Sequence, residues 1–197
     1  MGRRTGGVNR LTWRRNYVHD NFGNGIWSDG NVRTVLYEEN RVENNTGAGI
    51  FHEISWDAVI RNNTLRNNNT AAGGQAQSCF HGGAIDLNNS QNVEIVGNVV
   101  EAINANPICM TNSLRSEAPV FPQSLGNVSV HGNTFKTRGP VAIGMVGETV
   151  PPGISFTGNT YLTDDLARAV WAYGTYPLSR AQWQGKGQDQ AGVFKTW

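Results

Sequence analysis

GAGIFHEISWDAVIRNNT, Gly47–Thr64, sets two short apolar runs among glycines and asparagines. Its most provocative pair is His52-Glu53, which invites a metal or a catalytic interpretation. A zinc-protease helix reads H-E-x-x-H, so that two imidazoles one turn apart share the metal. Here Trp56 stands where the second histidine would be, and glycine and asparagine crowd both flanks, a composition hostile to helix. The metalloprotease reading therefore fails. What remains is a pair of short alternating apolar runs joined by Gly/Asn turns, the pattern of strands rather than helices.

The same unit recurs along the chain. Asparagines in RRNYV, EENRV, RNNTL, VGNVV, HGNTF and TGNTY fall at Asn16, Asn40, Asn63, Asn98, Asn133 and Asn159. Two residues after each comes Val18, Val42, Leu65, Val100, Phe135 or Tyr161. Three residues before comes Trp13, Tyr37, Ile60, Ile95, Val130 or Phe156, and five before comes Leu11, Val35, Ala58, Val93, Val128 or Ile154. Ile26, Ile50, Ile108 and Ile143 sit ten residues after their asparagines, whereas Ile85 comes 22 after Asn63, so that unit carries an insertion of 12.

A basic period of 23–26 residues with several short strands means coils that stack on one another. A leucine-rich repeat lacks the required L-x-x-L-x-L frame here, and a propeller blade needs about 40 residues. The expected fold is all-β, a parallel β-solenoid of about six coils over residues 8–162, with insertions at about 69–82 and 111–126. Residues 163–197 are expected to form a C-terminal capping segment, with Ser179 capping a short helix that holds Trp183 and Asp189 fixing the cap by hydrogen bonds. Stacked asparagine amides would bond up and down the repeat, with Asn21, Asn45 and Asn68 as a second, shorter ladder.

Composition bounds the function. The 197 residues carry 24 Gly, 23 Asn and a net charge of +1, which argues against nucleic acid as the main partner. Arg3, Arg4, Arg14 and Arg15 form a small basic cluster that reads as a solvated face. No apolar run reaches the roughly 20 residues of a membrane span, and no apolar segment follows Met1. Cys79 and Cys109 are the two cysteines, and a disulfide between them would clip the first insertion.

Strand parity sorts the side chains that follow the repeated isoleucine. Ser28, His52, Leu87, Met110 and Met145 fall in one column facing inward, so His52 is expected in the core. Trp27, Phe51, Asp86, Cys109 and Gly144 fall in an outward column, as do Asp29, Glu53, Asn88, Thr111 and Val146. Rungs lie about 4.8 Å apart, so Asp29 and Glu53 stack, with Asp86 one rung on and displaced by two residues. Carboxylates stacked in a sheet repel. Three resolutions are open: a hard cation such as Ca²⁺ held by Asp29, Glu53 and Asn88; proton sharing in acid–base chemistry; or splaying into solvent. Trp27 and Phe51 beside these acids favour a sugar ring, or else simply pack beneath a loop. The insertion would bring His81 to the same face. His19-Asp20 reads as turn chemistry.

GNVSVHGNTF and the opening stretch resemble the right-handed parallel β-helix repeats of the pectate-lyase-like superfamily. YPLSRAQWQGKGQD, Tyr176 to Asp189, resembles the closing segment of many secreted bacterial β-helix proteins. The resemblance implies a secreted or cell-surface protein that cleaves a polysaccharide, as a hydrolase or a Ca²⁺-dependent lyase. A lyase would need a base, and only His81 and Arg115 are available on loops, so hydrolysis is favoured: Glu53 as acid, Asp29 or Asp86 as nucleophile or base, and Trp27, Phe51, Asn88 and His81 binding substrate. The rival is a non-catalytic glycan-binding or structural solenoid. The chain enters its first coil without an amphipathic capping helix, so the N-terminal edge is expected to be covered by further residues or by a partner.

Overall fold

A computed structural model describes residues 7–70, 82–113, 124–139, 143–146, 150–167 and 171–197. Among the described residues nineteen strands form three parallel sheets, beside one short helix. The first holds β1 (Asn9–Arg14), β4 (Arg33–Glu38), β7 (Trp56–Arg61), β10 (Gln91–Val96), β13 (Gly126–His131) and β16 (Ile154–Thr157). The second holds β2 (Tyr17–His19), β5 (Arg41–Glu43), β8 (Thr64–Arg66), β11 (Val99–Ile103), β14 (Thr134–Arg138), β17 (Thr160–Thr163) and β19 (Val193–Thr196). The third holds β3 (Ile26–Asp29), β6 (Ile50–Glu53), β9 (Gly83–Asn88), β12 (Asn106–Thr111), β15 (Ile143–Val146) and β18 (Trp171–Leu178). Each turn of the chain lays one strand on each sheet, which is a parallel β-helix.

The registers reproduce the columns read from the sequence. Val35 pairs with Ala58, Tyr37 with Ile60, Val42 with Leu65 and Ile50 with Ile85, so the insertion before β9 leaves the pairing intact. These columns point into one continuous core from Ile26 to Trp183. Each buried aliphatic side chain in it contributes roughly 1.5–3 kcal/mol. His52 is in this core, fully buried as expected, with its Nδ1 hydrogen-bonded to the Tyr37 hydroxyl at 3.0 Å. Burial alone pulls its pKa down to about 3, so it is neutral.

The asparagines do the work assigned to them. Nδ2 of Asn16 donates to Oδ1 of Asn40 at 2.9 Å, and the relay continues through Asn63, Asn98 and Asn133 to Asn159. The Asp189 carboxylate ends it, accepting from Asn159 N at 3.1 Å, from Asn159 Nδ2 at 2.7 Å and from the Tyr161 hydroxyl at 2.6 Å. Asn21, Asn45 and Asn68 form the second ladder with 2.8 Å amide bonds. The residue before each primary ladder asparagine is left-handed: Arg15, Glu39, Asn62, Gly97, Gly132 and Gly158, with φ of 54–66°. That turn swings the chain from the first sheet to the second and aims each amide inward, where it satisfies backbone that water cannot reach.

After Thr163 the chain adds β18, the helix α1 (Arg180–Gly185) and β19. Ser179 caps α1 in a reciprocal box with Gln182, and Trp183 is buried within it.

Candidate functional site

The third sheet assembles the expected site residues by pure register. Asp29 ends β3, Glu53 ends β6 and Asn88 ends β9, and they stand in one row. In the neighbouring row Trp27, Phe51, Asp86 and Cys109 are successive partners. Trp27 lies parallel to Phe51, with centroids 5.8 Å apart and planes 8° from parallel. The outward face is not an open groove along its length, which corrects the expectation from parity. Phe51 and Asp86 are each 1% exposed and Asn88 is 0% exposed, while Trp27 keeps 49% of its surface. Pointing away from the core fixes a side chain's direction, and what covers that face is not encoded in strand parity. Phe51 as it stands therefore cannot offer a ring face to a sugar.

Asp86 is the electrostatic centre of this region. Its Oδ1 accepts from the Gly83 backbone N–H at 2.8 Å, whereas its buried Oδ2 has no hydrogen-bond partner among the described residues. Burial raises its pKa well above the ordinary carboxylate value, the Gly83 bond opposes that rise and the nearby Glu53 charge adds to it. Burial therefore favours the protonated form of Asp86. Among the described residues no cation pairs with it. The contrast with the other inner acids is direct. Glu38 lies 2.5 Å from both Arg14 and Arg61; burial pushes its pKa up, and the two guanidinium groups outweigh it. Glu43 is held below the usual range mainly by its bond to Arg41 at 2.8 Å.

Neighbouring groups tie the site to the next rung. Asn88 Nδ2 donates to Thr111 Oγ1 at 2.8 Å and to Ser113 Oγ at 2.9 Å. This leaves only the Asn88 oxygen as a metal donor. Among the described residues no group of three or more His, Cys, Asp or Glu side chains is placed to hold a metal ion. Cys109 is disulfide-bonded, with its Sγ accepting from Asn106 Nδ2 at 3.2 Å. His81, Cys79 and Arg115 lie outside the described residues. His19 pairs with Asp20 at 2.6 Å and stacks on Tyr17, a surface arrangement away from these acids.

Sequence reasoning missed Gly83. A Cβ there would stand 2.5 Å from Asp86 Oδ1 and 2.6 Å from the Ile85 carbonyl, so only glycine lets the backbone N–H reach the carboxyl. The Gly82-Gly83 pair at the start of a strand was the available signal.

Among the described residues no helix is long and apolar enough to cross a membrane. No curated protein matches the chain. Among solved structures it is similar to the A-module of the mannuronan C-5 epimerase AlgE6 of Azotobacter vinelandii, with a TM-score of 0.67 and 18% identity. That likeness covers 95% of this chain and 46% of the epimerase module, so the chain spans about half the neighbour's length. At this identity the likeness is one of fold. The family model described as "Right handed beta helix region" matches residues 3–162, and the chain belongs to that family.

Proposed function

We propose that this chain acts on a polysaccharide through acid–base chemistry at the rungs carrying Asp29, Glu53 and Asp86. The observation that carries the reading is Asp86: a buried carboxyl with one oxygen unpartnered among the described residues, beside a second carboxyl, in a column where Phe51 fits on one side and a disulfide sulfur on the other. A fold that needed only packing would be more stable with an apolar residue there, and strongly desolvated acid pairs concentrate at reactive sites. The acid role passes from Glu53 to Asp86, because burial favours its protonated form; at 1% exposure it meets the sugar only when the polysaccharide displaces what covers it. Glu53 then serves as base or nucleophile, Asp29 as a second charge, and exposed Trp27 as the platform for a sugar ring. The structural neighbour acts on the polysaccharide mannuronan, which supports this substrate class. Export to a cell surface or medium belongs to the same reading. If Ca²⁺ takes part, the oxygens of Asp29, Glu53 and Asn88 would hold it and would neutralise an acidic sugar.

The test is incubation with acidic and neutral polysaccharides, mannuronan included, with Ca²⁺ or with chelator. Reducing ends, ultraviolet absorbance of unsaturated uronates and deuterium uptake from solvent would be followed together. Reducing ends alone mean hydrolysis, reducing ends with absorbance mean a lyase, and deuterium uptake without cleavage means epimerisation. Each should be lost in Glu53→Gln. The burial of Phe51, Asp86 and Asn88 favours a second reading, a binding module, which would retain polysaccharide on the chain with no product of any kind.

A further inference from the structure

The outward faces of the second and third sheets carry opposite charge. None of the six strands of the third sheet, which holds the candidate acids, contains a lysine or an arginine. The second sheet carries Arg41, Arg66, Lys136, Arg138 and Lys195, each next to a residue of an inward column and so directed outward. In its early half these cations are answered, because Glu43 lies 2.8 Å from Arg41 and 3.8 Å from Arg66. In its late half they are not. Among the described residues Lys136, Arg138 and Lys195 form no ion pair, and they include two of the chain's three lysines. Two carboxylates stand near them. Glu101 is the ladder partner of Lys136, and Asp164 Oδ2 accepts from the Gly139 N–H at 3.1 Å.

Apolar surface gathers on the same face. Beyond the first coil, the large apolar side chains left exposed among the described residues are Ile103 at 42%, Val193 at 42% and Trp197 at 36%. All three point out from the second sheet, and Ile103 faces Arg138 in register. The Trp197 N–H donates to the Thr163 carbonyl at 2.9 Å, which ties the ring to the sheet. Arg138 lies 4.5 Å from the ring centroid and the Lys136 ammonium 5.8 Å from it. A guanidinium packed by its face on a ring keeps its in-plane N–H groups for a ligand, and that fork matches a carboxylate.

We infer that the outer face of β14, β17 and β19, together with Trp197, is a second binding surface that holds a carboxylate-bearing polysaccharide lying across the strands. Charge and spacing select this occupant. Lys136 and Lys195 share a row on either side of Leu162, two rungs and so about 10 Å apart. A chain crossing the strands meets cation, apolar side chain and cation in turn, which fits a polymer of apolar ring faces with carboxylates between them. A nucleic acid duplex, with one charge per about 1.7 Å, calls for a denser row of cations. The inference shares only the polysaccharide class with the reading of the acid site. It supplies what that site lacks, an attraction for a polyanion that Asp29 and Glu53 repel.

The experiment is affinity electrophoresis of the intact chain through gels containing mannuronan or neutral dextran, at low and high salt. Mannuronan should retard the chain and dextran should not, and the retardation should fade as salt screens the charges. Lys136→Glu with Lys195→Glu should weaken binding about tenfold, since two favourable pairs become repulsive. Lys136→Arg with Lys195→Arg should bind as the native chain does. Trp197→Ala should lose about threefold, because Arg138 loses the ring that holds it. Unfolding curves accompany each variant, and if the glutamate pair fails to fold, Lys136→Gln with Lys195→Gln reads the same loss. Glu53→Gln should bind mannuronan undiminished, so failed conversion with intact binding counts against the acid site alone. Undiminished binding by a folded charge-reversed chain would overturn the inference. So would no retardation of the native chain, equal retardation by dextran, binding lost only in Glu53→Gln, or tighter binding to duplex DNA at the same salt.

Discussion

The first three coils and the last three share one backbone and solve it with different residues. At the corner before the ladder, the early coils place Arg15, Glu39 and Asn62 in the left-handed region, and the late coils place Gly97, Gly132 and Gly158 there. Inside the first sheet a second left-handed column runs Arg10, Thr34, Asp57, then Asn92, Asn127, Gly153. A side chain in that region costs about 1–2 kcal/mol, more for a β-branched residue such as Thr34, and glycine pays none of it. The early coils recover part of the cost through their side chains: Arg15 and Glu39 pair at 2.6 Å, and Arg14, Glu38 and Arg61 stack with alternating sign. The cores diverge as well. The late coils bury Phe135, Phe156, Tyr161, Trp171 and Trp183, while the early ones bury aliphatics around His52 and Tyr37. The acids of the candidate site lie on the early half, with more side chains in the left-handed region. The repeat is thus one backbone geometry built with two sets of residues, and the buried acid Asp86 lies on that early half.

The largest effect expected from this comparison is at the sealed end. Asp189→Ala leaves buried donors on Asn159 and Tyr161 unpaired and should cost about 3–5 kcal/mol in denaturant unfolding. Acid should next weaken the early half. Above pH 6.5 His52 is neutral in both states; as pH falls from 6.5 towards 3 the unfolded chain takes up a proton that the folded chain refuses, and roughly 4 kcal/mol is lost. His52→Leu should remove that slope from a pH series of unfolding curves. Then the ladder itself divides. Asn98→Ala, fully enclosed, should cost about 2–4 kcal/mol, but half-exposed Asn16→Ala about 1 kcal/mol or less. Equal costs would break the comparison. Smallest are the corners. Gly132→Ala meets no atom within 4 Å, so its expected loss of about 1 kcal/mol is conformational, and Thr34→Gly should gain about as much.

The period-two columns, the two ladders, the inserted rung at Ile85 and the capped helix around Trp183 were all legible in the sequence, because a parallel stack repeats each position every coil and any column can be checked against several units. The row Trp27–Phe51–Asp86 was legible for the same reason. The burial of Phe51, Asp86 and Asn88 was not, since parity reports direction and says nothing of what lies over a face. The Gly83 N–H on Asp86 was hidden too: it is a close approach of backbone to side chain within one turn, and no repeat averages it out. The left-handed corners stood in plain sight as RN, EN, NN and GN pairs, but only the dihedral angles distinguish a strained arginine from an unstrained glycine.

Asp86→Asn tests the central claim most directly, by polysaccharide conversion and unfolding free energy measured on the same preparation at pH 7. Asparagine keeps an acceptor for Gly83 but has no acidic proton to give. A carboxyl whose pKa is raised by folding is fully tolerated below its unfolded pKa of about 3.8 and costs stability as pH rises through its folded value, so the substitution should not weaken the fold at neutral pH. The account expects unchanged or higher stability together with loss of conversion. Full conversion by a stable Asp86→Asn chain would contradict it, and the buried acid would then have no part in the chemistry.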